Sequence, residues 1–117
     1  MSLPSSDSVK VTFPTRNREQ IVAELRERAP ALQAVLPIRR VVLFGSWAKG
    51  RATAFSDIDV LVVYAGPARE DAYRLAWHQL PFRGLELHVY SEAEATSLAP
   101  TLERMTRGGI AIFDGEA

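Results

Sequence analysis

Phe44-Gly45-Ser46-Trp47-Ala48-Lys49-Gly50-Arg51 and, a few residues on, Ser56-Asp57-Ile58-Asp59 decide how this chain is read. The first stretch ends the apolar run Arg39-Arg40-Val41-Val42-Leu43-Phe44, which stops at Gly45. Glycine lets the backbone take dihedrals closed to other residues and come close to a bound oxygen. Ser46 adds a hydroxyl and a backbone N–H at what the pattern predicts to be the first turn of a short helix, a setting that favours anions. The second stretch opens the apolar run Asp57-Ile58-Asp59-Val60-Leu61-Val62-Val63. Side chains alternate along a strand, so Asp57 and Asp59 are expected on one face. Two carboxylates that close repel unless a cation lies between them or both reach water. Oxygen ligands of this kind suit Mg²⁺ or Mn²⁺, and paired metals stabilise in-line phosphoryl displacement.

A third acid lies downstream. Leu85-Glu86-Leu87-His88-Val89-Tyr90 alternates, with the leucines and Val89 on one face and Glu86 and His88 on the other. If this strand pairs beside the one that begins at Asp57, Glu86 completes a cluster of three carboxylates. Taken singly, each element has an ordinary reading: a Gly-Ser pair as a turn, Asp-x-Asp as a solvated edge, Glu86 as an exposed strand residue. Their order and spacing together favour a site for a nucleoside triphosphate and its metals.

Those residues resemble the signature of the minimal nucleotidyltransferases of the DNA polymerase β superfamily. The resemblance runs from the helical segment near Arg16 to the C-terminal Arg107-Gly108-Gly109-Ile110-Ala111-Ile112-Phe113, which is similar to that family's small closing strand. It implies a polymerase β-like α/β palm with a small mixed sheet and helices packed mainly on one face. It also implies a nucleoside triphosphate donor, two divalent metals and transfer of a nucleoside monophosphate, AMP from ATP, to a hydroxyl. Carried over, Asp57, Asp59 and Glu86 are the catalytic and metal-binding residues, and Gly45, Ser46 and Lys49 hold the phosphates. Lys49 stands where many members carry Arg, which keeps the charge and loses the planar fork. Glu86 stands where many carry Asp and reaches about one methylene further. Minimal members are commonly antitoxins paired with a helical HEPN ribonuclease, which implies a partner's tyrosine as acceptor. The alternative is a non-catalytic antitoxin or nucleotide-binding module that acts by contact alone.

Composition bounds this reading. The chain has 117 residues, enough for one core and not for an added substrate domain. Residues 1–14 read as a flexible tail in which Val9 to Phe13 could form a short strand, and 15–117 as one domain. Lys and Arg number 14, as do Asp and Glu, so no excess positive field attracts nucleic acid. Cysteine is absent, which excludes disulfides, thiolate zinc sites and a cysteine nucleophile. No apolar stretch approaches a membrane span and no signal pattern opens the sequence, so a cytoplasmic protein is expected.

The remaining elements follow from caps and periodicity. Asn17 with Gln20 fits a capping box, and Ile21, Leu25, Ala29, Leu32 and Leu36 continue at helical spacing. Pro30 is expected to kink or split that helix. Pro67 is expected at the start of a helix from Ala68 to Leu80, with Tyr73, Ala76, Trp77 and Leu80 along one face. Ser91 with Glu94 opens a helix expected to reach about Thr106, ahead of a last strand from Ile110 to Phe113. Arg51 and His88 are secondary candidates for the site, and Trp47 is expected to pack beneath the glycine turn. Ile110, Ile112 and Phe113 with Trp47 are the surface expected to be covered by a partner or a second copy of the chain.

Overall fold

The computed structural model describes residues 17–52, 56–80 and 82–115; the possible strand at 9–13 lies outside them. Helix α1 (Arg18–Val35) is opened by the Asn17–Gln20 box, the Asn17 side chain accepting from the Gln20 N–H at 2.8 Å and the Gln20 side chain accepting from the Asn17 N–H at 2.9 Å. It buries Ile21, Leu25, Ala29 and Leu32. Pro30 does not split it. The proline ring sits on the exposed side, while Ala29 and Leu32 on either side of it pack into the core and hold both halves in one helix. The cost is the hydrogen bond that a residue at 30 would have given to the Arg26 carbonyl.

Four strands follow: β1 (Ile38–Phe44), β2 (Ile58–Tyr64), β3 (Leu85–Ser91) and β4 (Ile110–Asp114). They form a mixed sheet in the order β3-β2-β1-β4. β1 runs antiparallel to β2 and to β4, while β2 and β3 are parallel. Parallel neighbours need a crossover, and α2 (Ala72–Gln79) supplies it. That helix begins later than Pro67 predicts. The Arg69 N–H donates to the buried Tyr64 hydroxyl at 2.8 Å, and the Arg69 guanidinium holds the Asp71 carboxylate through two bonds of 3.0 Å, which fixes the segment as a turn.

The sheet has two unlike faces. Val41, Leu43, Val60, Val62, Leu85 and Leu87 join α1 and α2 in the main core. Val42, Phe44, Leu61 and Val63 form a smaller cluster under α4 (Ala99–Met105) through Leu102, with Tyr90, Ala95 and Met105 around it. The larger helical layer thus lies on one face and a lesser cover on part of the other. That cover is two helices, α3 (Glu92–Ser97) after its Ser91–Glu94 box and then α4. The break falls at Leu98 because Pro100, at the start of α4, has no N–H to continue the ladder.

Two apolar assignments change. Ala72, Ala76 and Leu80 face the core, whereas Tyr73 and Trp77 stack on each other in solvent, ring centroids 6.0 Å apart. Ile112 is buried in the core and does not belong to an open surface; Ile110, Phe113 and Trp47 are half-buried against it. Among the described residues no helix is long and apolar enough to cross a membrane.

Candidate active site

The site is assembled at the end of β1 and the beginning of β2 and β3. Gly45 leaves β1 with φ +77, open to glycine at little cost, and a Cβ there would overlap the Asp59 carboxylate. The bare backbone of Gly45 therefore makes room for Asp59, which is opposite Phe44 in the β1–β2 register. Residues 45–50 form a hydrogen-bonded turn and not the short helix expected after Ser46. Its closing bonds have mixed spans: Lys49 N–H to Gly45 O at 3.1 Å, Gly50 N–H to Trp47 O at 3.3 Å, and Arg51 N–H to Ser46 O at 2.9 Å. A helix needs a uniform four-residue span, and Gly50 with φ +73 interrupts any such run.

Two side chains brace this turn from outside. The Arg18 guanidinium donates to the Ala48 carbonyl at 3.1 Å. The Trp47 indole N–H donates to the Ser56 carbonyl at 3.5 Å, joining the turn to the residue before Asp57. Trp47 is thus packed as expected, beneath the loop. Lys49 is exposed, and its aliphatic stem runs close to Gly108 in the turn after α4. Ser46 is exposed, as is Arg51. Arg18 was not legible as a site residue: the one signal is a basic residue in the first turn of a helix, where the macrodipole disfavours it.

The acids follow the register of the parallel pair. Asp59 is aligned with Glu86, and Leu61 with His88, so Asp59, Glu86 and His88 stand on one face of the sheet. Asp57 precedes β2 and is exposed; the Ile58 N–H bonds Gly84 O at 2.8 Å, tying this end of β2 to the turn before β3. Asp59 is half-buried, and its pKa is raised above the usual 3.8, first by burial, then by the Glu86 charge, and by Asp57. His88 opposes that shift, and its ring packs against Phe44 at a centroid distance of 5.4 Å. The α3–α4 cover lies over the other part of this face, on Leu61, Val63 and Tyr90.

Among the described residues no three acid or histidine side chains are drawn close enough to hold a metal ion as the chain stands. The chemistry of the donor set still fits a hard divalent cation. Asp59 feels the charges of Glu86, in register on β3, and of Asp57, two residues before it, and that repulsion is what a bound cation would relieve. The arrangement provides a backbone turn able to meet phosphate oxygens beside acids able to meet metal.

The comparisons with known proteins agree with this geometry. Residues 18–106 match the family model of the nucleotidyltransferase domain. Among solved structures, the chain is similar to a candidate nucleotidyltransferase from Sulfolobus solfataricus, with 18% identity, TM-score 0.57 and 83% of each chain covered. It is also similar to a chain in a toxin–antitoxin structure with AMP-PNP, with 19% identity, TM-score 0.55, and 78% of this chain and 74% of that one covered. A third likeness is to a chain in the complex of the tri-AMPylated Shewanella oneidensis HEPN toxin with its MNT antitoxin, with 18% identity, TM-score 0.50, and 80% and 73% covered. The search of curated proteins gives no match. The structural likenesses speak for the fold, and the family model, which spans most of the chain and contains the glycine turn, the aspartates and Glu86, assigns the protein: the chain belongs to the nucleotidyltransferase domain family.

Proposed function

We propose that this chain transfers AMP from ATP to a hydroxyl, the acceptor being a tyrosine of a helical HEPN-type partner, as a minimal antitoxin-type nucleotidyltransferase. The observation that carries the reading is Asp59 seated against the bare Gly45 backbone and in register with Glu86. This sets the glycine turn beside the Asp59–Glu86 pair, which is what the reading needs. The similarity to chains of a toxin–antitoxin structure with AMP-PNP and of a tri-AMPylated HEPN toxin complex supports the nucleotide and the partner.

In this reading the Gly45–Ser46 backbone and the Ser46 hydroxyl grip the β- and γ-phosphates, with Lys49 neutralising their charge. Mg²⁺ or Mn²⁺, held by Asp57, Asp59 and Glu86, supplies charge neutralisation on the triphosphate and a lowered pKa for the acceptor hydroxyl. The hydroxyl oxygen bonds to the α-phosphorus, the bond from that phosphorus to the bridging oxygen breaks, and pyrophosphate leaves with its electron pair. The hydroxyl proton passes to solvent on the Glu86 side. Chemistry of this kind is positioning and electrostatics, for which few side chains suffice.

The acids occupy the uncovered part of a sheet face, and an acceptor there needs a second wall that a partner would provide. The test is to incubate the protein with ATP labelled at the α-phosphate and Mg²⁺, alone and with the protein encoded beside it. Label on a partner tyrosine, lost in Asp59→Asn, is the expected result. Inhibition of the partner without label, unchanged in Asp59→Asn, would instead identify an antitoxin acting by contact.

A further inference from the structure

Arginine in the first turn of a helix works against the helix dipole, so Arg18 at the start of α1 needs another reason to be there. Its guanidinium reaches thirty residues along the chain to the Ala48 carbonyl, inside the turn that meets the acids. The same guanidinium lies beside Gly50, where a Cβ would stand 3.9 Å from it. Its neighbour Glu19 is a weak partner at 3.8 Å, both groups being exposed. Two helical turns along, Arg26 repeats the device on the Ala111 carbonyl of β4, at 3.1 Å. α1 thus presents two arginines to backbone carbonyls, one on each side of Val22, and the first of these carbonyls belongs to the nucleotide turn.

We infer that Arg18 is a positioning residue for nucleotide binding: from α1 it holds the Ala48 carbonyl and so fixes the shape of the Gly45–Gly50 turn. The inference rests on the proposed function only in taking that turn as the phosphate site. Turns closed by hydrogen bonds of mixed span, with glycine at both ends, have little stiffness of their own. A charge-assisted bond from a rigid helix supplies it, and a turn already ordered loses less entropy when phosphate binds.

Arg18→Met keeps the stem and removes the donors; Arg18→Lys keeps the charge. Two measurements apply to each: hydrogen exchange at the Lys49 and Arg51 amides, which close the turn, and the Kd for a non-hydrolysable ATP analogue with Mg²⁺. Arg18→Met should speed exchange at both amides and raise Kd about tenfold, the scale of a lost charged hydrogen bond, with Arg18→Lys between it and wild type. Glu19→Gln, which breaks only the weak ion pair, should change neither. Faster exchange with an unaltered Kd, or no change in either, would overturn the inference while leaving the functional reading intact. A wild-type chain that binds no nucleotide would overturn both.

Discussion

Asp59 and Glu86 stand side by side across the parallel β2–β3 pair, and the Glu86 charge adds to burial in raising the pKa of Asp59. The raised pKa of Asp59 means that the folded chain holds this proton more tightly than the unfolded chain does. The contribution of Asp59 is therefore fully present below the unfolded value near 3.8 and is lost as pH rises through the raised folded value. Thermal melts from pH 3.5 upward should show this loss in metal-free protein. Asp59→Asn should flatten that part of the profile while lowering transfer by about a thousandfold or more. Added Mg²⁺ should raise the melting temperature of wild type at neutral pH and leave Asp59→Asn nearly unmoved. An equal Mg²⁺ response in both would remove Asp59 from the metal site.

Gly45→Ala and Gly66→Ala separate backbone strain from crowding at the site. Both glycines have positive φ, +77 and +92. Among the described residues nothing lies within 4 Å of a Cβ on Gly66, whereas one on Gly45 would strike the Asp59 carboxylate. Gly66→Ala should cost about 1 kcal/mol, the backbone term alone, and leave nucleotide affinity intact. Gly45→Ala should cost about 2–3 kcal/mol and weaken nucleotide binding as well. Denaturant melts and calorimetry with an ATP analogue give the comparison; equal effects of the two variants would contradict it.

Glu86→Gln should divide binding from transfer. Glu86 is exposed on the outer strand β3, away from the glycine turn in the chain, so its loss should leave the proposed phosphate grip untouched. The expected outcome is a transfer rate reduced about a hundredfold or more at a Kd for ATP within about threefold of wild type. A parallel fall in both would mean that Glu86 serves the fold or the nucleotide and not the hydroxyl.

Pro30→Ala should stabilise the protein. α1 continues through Pro30 without its N–H, and the ring is exposed, so alanine restores a bond to the Arg26 carbonyl without opening a cavity. An increase of about 1–3 kcal/mol is expected from helix propensity, read from denaturant unfolding, with no change in nucleotide affinity. A loss of stability would show that the proline imposes a bend on which α1 packing depends.

Much of this architecture was written in local chemistry. The boxes at Asn17 and Ser91 mark helix starts because both partners lie within four residues of each other. The alternation from Leu85 to Tyr90 places Glu86 and His88 away from the core for the same reason. Features that depend on particular side-chain contacts or on packing between elements were not legible. Pro67 carries the signal of a helix start, yet the Tyr64 hydroxyl and the Arg69–Asp71 pair hold that segment as a turn. Tyr73 and Trp77 share a helical stripe with Ala76, and only the placement of α2 at the sheet margin shows which part of the stripe the core needs. Ile112 reads as available surface until β4 is seen against α1 and β1. The alignment of Asp59 with Glu86 depends on which strands pair and in what register, a property of the sheet as a whole.

The order of strands has a consequence for how the site comes into being. Gly45 directly follows β1 and Asp59 lies in β2, consecutive antiparallel strands that meet by a single loop closure. Glu86 lies on β3, which pairs with β2 in parallel across the α2 crossover, and contacts of that greater sequence separation are the kind that form more slowly. In the proposed reading, the turn and aspartate that would grip a nucleotide thus depend on nearer contacts than the acid that would complete transfer. The proposed set of acids would then be complete only once the edge strand β3 has docked.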